Sequence, residues 1–152
     1  MSSDTPSEGA TEAWVLMIED DLPLATIVSK HLKARGHDVQ VAASAEDAAE
    51  IIGSGYRPTI VLLDINLPGD SGWGFLRSGV LTGAGSPPVF GVSATAVPHS
   101  RLREFDCAGY LPKPFAVPTL IEIVERHHSE ADGDDVPGPD GAPAPKGEID
   151  AL

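Results

Sequence analysis

Residues 14–21 read Trp14-Val15-Leu16-Met17-Ile18-Glu19-Asp20-Asp21: five apolar residues without a break, then three carboxylates in a row. An unbroken apolar run of this length suits a strand buried on both faces, as in a parallel sheet covered by helices. The pattern recurs. Thr59-Ile60-Val61-Leu62-Leu63 leads into Asp64, and Gly109-Tyr110-Leu111 leads into Pro112-Lys113-Pro114. In an open parallel α/β sheet the carboxyl ends of the strands line the ligand crevice. Glu19, Asp20, Asp64 and Lys113 are therefore expected to meet in one small pocket.

The segments between these runs read as helices and further strands. Asp21 is placed as an N-cap with Pro23 in the first turn, and Leu24, Ile27, Val28, His31 and Leu32 recur at helical spacing until Gly36. Asp38–Ala43 alternates valine with polar residues, which suits an edge strand. Ser44-Ala45-Glu46-Asp47 resembles a capping box, opening a helix that runs to Gly53. Pro68-Gly69-Asp70-Ser71-Gly72 reads as a turn. The helix after it, about 73–81, contains Gly74 and Gly79 and is weak on propensity alone. Pro88–Val92 is the fourth strand, His99–Asp106 the fourth helix and Gly109–Leu111 the fifth strand. Pro118–His128 is an amphipathic last helix with Leu120, Ile121, Ile123, Val124 and His127 inward. Five strands alternating with five helices predict an α/β fold built on a doubly wound parallel sheet.

The 152 residues suggest one domain, expected over 14–130. The net charge of −13 is unevenly spread: residues 1–13 carry −3 and residues 131–152 carry −5. The latter stretch holds four Pro, four Gly and six acids, with little to bury, and both terminal stretches are expected to be disordered. Nothing in the charge pattern points to direct nucleic-acid binding or to a membrane surface. The single cysteine, Cys107, reads as a small buried side chain and is compatible with a reducing compartment. The first residues lack a charged n-region and an apolar h-region, so no signal peptide is expected. No apolar run approaches the ~20 residues of a membrane span. A cytoplasmic protein is expected.

Three carboxylates at close range repel by on the order of several kcal/mol at intermediate dielectric. Either one stays protonated or a cation sits among them. Oxygen donors select a hard cation, and Mg²⁺ with open positions suits phosphoryl chemistry. Asp64, at the tip of a central strand, is the natural nucleophile, able to accept a phosphoryl group as an acyl phosphate. Lys113 and the hydroxyl of Ser93 would then face the oxygens of that group. Other constellations are weaker. His127 and His128 point to different helix faces, and His31, His37 and His99 have no acidic or cysteine partner at ligand spacing.

Taken together, Val15-Leu16-Met17-Ile18-Glu19-Asp20-Asp21, Val61-Leu62-Leu63-Asp64-Ile65-Asn66-Leu67-Pro68-Gly69, Val92-Ser93-Ala94 and Tyr110-Leu111-Pro112-Lys113-Pro114-Phe115 resemble a response-regulator receiver domain, of the single-domain, chemotaxis-regulator-like kind. The resemblance covers residues 14 to about 128. It implies a flavodoxin-like sheet of strand order 2-1-3-4-5. It implies Asp64 as phosphoacceptor, supplied by a histidine kinase or a histidine phosphotransfer protein. It implies Mg²⁺ held by Asp20, Asp64 and the main-chain carbonyl of Asn66, with Glu19 acting largely through water. Lys113 would pair with the phosphoryl group, the Lys113–Pro114 bond would be cis, and Ser93 with Tyr110 would form the switch. The downstream protein target would meet the face built from the fourth helix, fifth strand and fifth helix. The span from Ser93 to Tyr110 is slightly short for the family, so the fourth helix is expected to be trimmed.

The expected function is thus a stand-alone response regulator of a two-component phosphorelay, a phosphoacceptor signalling protein rather than an enzyme. The alternative is a receiver-like interaction scaffold that works without phosphorylation. An Asp-nucleophile phosphatase fits poorly, because Asn66 stands where that class wants a second acid.

Overall fold

The computed structural model describes residues 12–67 and 71–128. Most of both terminal stretches, and Pro68-Gly69-Asp70 of the expected turn, lie outside the described residues. Five strands form one sheet: β1 (Trp14–Ile18), β2 (Asp38–Ala42), β3 (Ile60–Asp64), β4 (Val89–Ser93) and β5 (Gly109–Pro112). Every neighbouring pair is parallel and the order is β2-β1-β3-β4-β5, as the resemblance implies. All residues of β3 and β4 are buried, which explains their continuous apolar runs. At the β2 edge Val39 is buried while Gln40 is exposed, matching the alternation in its sequence.

Because side chains alternate across a strand, β1 feeds two cores. Leu16 and Ile18 pack with Ala48, Phe75 and Leu102 on one face, and Val15 and Met17 pack with Val28, Leu32, Leu120 and Val124 on the other. The second face is covered by α1 (Leu22–Ala34) and α6 (Val117–His127). The first is covered by α2 (Ala45–Gly53), α3 (Gly72–Arg77), α4 (Val80–Gly83) and α5 (His99–Glu104).

Local chemistry sets the helix starts. Asp21 Oδ1 accepts the Leu24 N–H at 3.1 Å, and Ser44 Oγ accepts the Asp47 N–H at 3.1 Å. The expected third helix is two. The helical run stops at Ser78 because Gly79 takes φ +83°, a left-handed conformation open to glycine, and α4 restarts beyond it. Among the described residues there are therefore six helices rather than five. The short α3 is held from outside itself. Trp73 stacks on the Phe105 ring at 4.9 Å, with the Arg101 guanidinium 5.0 Å from the Trp73 ring centre. The fourth helix of the sequence reading, α5, ends two residues early, and Asp106 follows at φ +57°. Cys107 is buried, and its thiol is pushed up to about 12, first by burial and then by Asp106. No helix among the described residues is long and apolar enough to cross a membrane.

Candidate functional site

Two of the expected strands, β3 and β4, start and stop one residue later than the sequence suggests, and the shift matters. Asp64 and Ser93 are the last residues of β3 and β4 rather than the first of their loops. Ladder bonds continue past the strands to fix their neighbours. The Glu19 N–H donates to Ala42 O at 2.9 Å, the Ile65 N–H to Val92 O at 3.0 Å, and the Lys113 N–H to Ser93 O at 2.8 Å. The pocket is thus held by backbone on the sheet's carboxyl edge.

Glu19 is 1% exposed and Asp64 4% exposed, while Asp20 faces solvent. The Lys113 ammonium lies 3.0 Å from Glu19 Oε1, 3.1 Å from Glu19 Oε2 and 3.4 Å from Asp64 Oδ2. Its approach to Oε1 is off the line of a hydrogen bond, so this buried oxygen has no aligned donor. Glu19 Oε2 also accepts the Asp21 N–H at 3.1 Å, and Asp64 Oδ1 accepts the Asn66 N–H at 2.8 Å. Burial pushes the Glu19 carboxyl up to about 7. Lys113 and the Asp21 N–H pull it down, but Asp64 adds to the rise. For Lys113, burial pulls the ammonium down, yet Glu19 and Asp64 outweigh it and leave its pKa raised.

Carboxylate oxygens of Glu19, Asp20 and Asp64 all lie within 4.8 Å of one another. An all-oxygen donor set with one buried oxygen short of a donor fits a hard divalent cation. Two of its members are buried in the sheet edge, and the third opens to water.

Ser93 is fully buried, and its Oγ lies 2.9 Å from Asn66 Oδ1, 2.9 Å from Thr95 O and 3.0 Å from Thr95 Oγ1. It also accepts the Thr95 N–H at 3.0 Å. Tyr110 is half-buried and donates to the same Thr95 carbonyl at 3.2 Å. The Lys113–Pro114 peptide bond is cis.

A family model described as the response regulator receiver domain matches residues 15–125. The chain belongs to this family. Receiver domains are the phosphoacceptor modules of two-component signalling rather than ordinary enzymes. The fold recurs in the chemotaxis protein CheY4 of Vibrio cholerae, at 23% identity and TM-score 0.69, covering 77% of this chain and 99% of that one. It recurs in the signal receiver domain of a putative Luxo repressor protein from Vibrio parahaemolyticus, at 23% identity and TM-score 0.72, covering 84% and 98%. A third is the N-terminal domain of a response regulator/sensory box/GGDEF three-domain protein from Carboxydothermus hydrogenoformans, at 27% identity and TM-score 0.65, covering 75% and 92%.

In this receiver the strand ends bring Glu19, Asp20, Asp64, Asn66, Ser93 and Lys113 to one edge, with Tyr110 joined to them through Thr95. Sequence reasoning missed Gly72, taken only as part of a turn. A Cβ on Gly72 would lie 2.8 Å from both Asp64 O and Ile65 Cα, so only glycine lets α3 start against the backbone of Asp64. It also missed the partner of His37. The fold brings Glu125, 88 positions along the chain, within 2.9 Å of His37 Nε2, and no local spacing could signal that pairing.

Proposed function

We propose that this receiver domain is a phosphoacceptor switch of the cytoplasm. Asp64 takes a phosphoryl group from a phosphohistidine on a histidine kinase or histidine phosphotransfer protein. The observation that carries the reading is Asp64 itself: a buried carboxylate at the tip of a central strand, oriented through Oδ1 by the Asn66 N–H and approached at Oδ2 by Lys113.

In the reaction a carboxylate oxygen of Asp64 bonds to phosphorus, the phosphorus–nitrogen bond of the donor breaks, and the imidazole leaves with its electron pair and takes up a proton. The product is an acyl phosphate on Asp64. Asp20, Asp64 and the Asn66 carbonyl would hold Mg²⁺, with Glu19 reaching it largely through water, and the ion, when bound, supplies positive charge against the oxygens of the transferred group. Lys113, already within 3.4 Å of Asp64, pairs with a phosphoryl oxygen once Asp64 carries the group. Ser93 can donate its single hydroxyl proton to only one acceptor at a time. It gives up Asn66 or the Thr95 carbonyl to reach the phosphoryl group, and the Thr95 carbonyl is an acceptor that Tyr110 also uses. The two arrangements form a two-state element biased by a local charge change. The face that reads it is the surface of α5, β5 and α6, where a downstream protein binds.

The test is intact-mass spectrometry after incubation with acetyl phosphate and Mg²⁺, beside Asp64→Asn. One phosphoryl group, about 80 Da, is expected on the wild type and on neither the variant nor the wild type in excess EDTA. If neither acetyl phosphate nor a phosphohistidine-bearing donor protein gives an adduct, the phosphoacceptor reading falls, and the unphosphorylated scaffold takes its place.

A further inference from the structure

We propose that the face between α3 and α5 docks an acidic segment of a partner protein, whose carboxylates pair with Arg77 and Arg101 over the stacked rings of Trp73 and Phe105. The proposal does not rest on the phosphoacceptor reading. Trp73 and Arg77 lie one turn apart on α3, and Arg101 and the cap residue Phe105 one turn apart on α5. The four side chains meet across the two helices. The Trp73 and Phe105 rings stack at 4.9 Å. The Arg101 guanidinium lies 5.0 Å from the Trp73 ring centre and 5.5 Å from that of Phe105, and the Arg77 guanidinium lies 5.2 Å from the Phe105 centre.

Charge selects the occupant. The chain has 23 acidic residues and a net charge of −13, yet residues 71–103 contain no acid and three arginines. Arg77 is exposed, and among the described residues it makes no hydrogen bond or ion pair, only its contact with Phe105. Arg101, with its side chain 38% exposed, meets one carboxylate, Glu104, at 3.4 Å. A long pair open to water on both sides is worth little. Stacking accounts for one guanidinium over an aromatic floor. It does not account for two cations gathered at one ring with a single exposed carboxylate between them. A cation–π contact uses none of the guanidinium N–H donors as hydrogen bonds, and those donors form a fork that matches a carboxylate. The rings also hold the arginine side chains in place, so less rotamer freedom is lost when a carboxylate arrives.

The rings set the other half of the partner. Trp73 and Phe105 are half-buried, so aromatic surface stays open beside the cations. A segment that carries Asp or Glu next to an apolar side chain satisfies both. Nucleic acid fits less well. The helix α3 starts at Gly72, against the backbone of Asp64, so a phosphate chain running past the two arginines would approach the carboxylates of Glu19, Asp20 and Asp64. A short acidic segment ends before it reaches them. The groove between α1 and α6 makes the contrast: both of its arginines are already bonded, Arg35 by Glu125 and Arg126 by Glu122, and it selects no anion.

Fluorescence of the full chain tests the proposal. Trp14→Phe leaves Trp73 as the sole tryptophan, so its emission reports on this face. The protein is titrated at low ionic strength with two short synthetic peptides, one alternating Glu with Leu and one alternating Gln with Leu. The Glu peptide is expected to change the emission saturably, and the Gln peptide to bind about fivefold more weakly or less. The apparent Kd for the Glu peptide should rise by about fivefold or more in Arg77→Gln, in Arg101→Gln and at ~1 M salt, where the screening length shrinks to ~3 Å. Arg77 contacts Phe105 rather than Trp73, so that variant removes the cation and leaves the reporter's own contact intact. Lys30→Gln/Lys33→Gln, on the helix α1 that covers the opposite face of the sheet, should bind as the parent does. A response that is absent or does not saturate, equal binding of the Gln peptide, arginine variants that bind unchanged, or an equal loss in the lysine variant overturns the proposal. So does tighter binding of a single-stranded oligonucleotide, which would make nucleic acid the occupant. An emission change that follows dimer formation without any peptide overturns it too, since a second copy, through Glu46, Asp47 and Glu50 exposed on α2, would then be the occupant.

Discussion

Ser93 and Tyr110 converge on one atom: the hydroxyl of Ser93 lies 2.9 Å, and that of Tyr110 3.2 Å, from the carbonyl oxygen of Thr95. The two residues sit on neighbouring strands, β4 and β5. Ser93 is fully enclosed and Tyr110 half-exposed. The same pair of hydrogen bonds therefore has an interior and an exterior end, and a change at the buried end can be read at the surface.

That asymmetry gives unequal costs. Ser93→Ala removes the hydroxyl that bonds the Thr95 N–H and the Asn66 amide; both residues are exposed and their freed groups can turn to water, so the loss should be about 1 kcal/mol. Tyr110→Phe removes one bond at an accessible site and should cost under about 0.5 kcal/mol. Urea unfolding of both variants checks the order. Equal, small losses would mean that Ser93 is not held by this network.

Glu19 sets a pH dependence of the metal-free protein. Its folded value is raised to about 7 from 4.5, so the fold favours the protonated form. The contribution is fully present below 4.5, fades as pH rises, and is lost above 7. The shift corresponds to an upper limit of about 3 kcal/mol. In EDTA, stability relative to Glu19→Gln should fall across this window. The comparison cancels every titrating group that the two proteins share. Added Mg²⁺ above pH 7 should restore much of the loss to the wild type. A parallel course for the two proteins would show that Glu19 does not carry the proton.

How much of this was legible beforehand follows from how local each signal is. The runs Val15–Ile18 and Ile60–Leu63 announce buried parallel strands because both faces of each are covered, so all four residues of each run are apolar. With the strands placed, Glu19, Asp64 and Lys113 follow from the rule that strand ends share an edge. The split of the third helix was half-visible. Gly79 marked a weak point, but its left-handed φ is a fact of the tertiary path. Gly72 was hidden because its role is a close approach to Asp64, and proximity leaves no trace in a single sequence. His37 looked unpartnered for the same reason: its acid is on α6.

The acid end of the stability curve belongs to that distant pair. Arg35 bonds Glu125 at 2.6 and 2.8 Å, and His37 reaches it at 2.9 Å. The His37 Nδ1 accepts the Ala13 N–H at 3.0 Å, so Nε2 carries the proton and donates to Glu125. The cluster ties the chain entering β1, the start of β2 and the end of α1 to α6. Arg35 holds the Glu125 carboxyl down at about 2; burial opposes this and His37 assists. A depressed carboxylate adds stability that is complete above 4.5, its ordinary value, and is lost as pH falls toward 2. Glu125→Gln keeps an acceptor for both partners but not the charge. It should lower stability at neutral pH by up to about 1 kcal/mol, since the side chain is 30% exposed and the pair is partly screened. The gap between variant and wild type should close as pH falls from 4.5 to 2, and it should narrow at ~1 M salt. Thermal unfolding across that range measures it. A gap that stays constant with pH would mean that the charge of Glu125 contributes nothing, and that α6 is held here by packing alone.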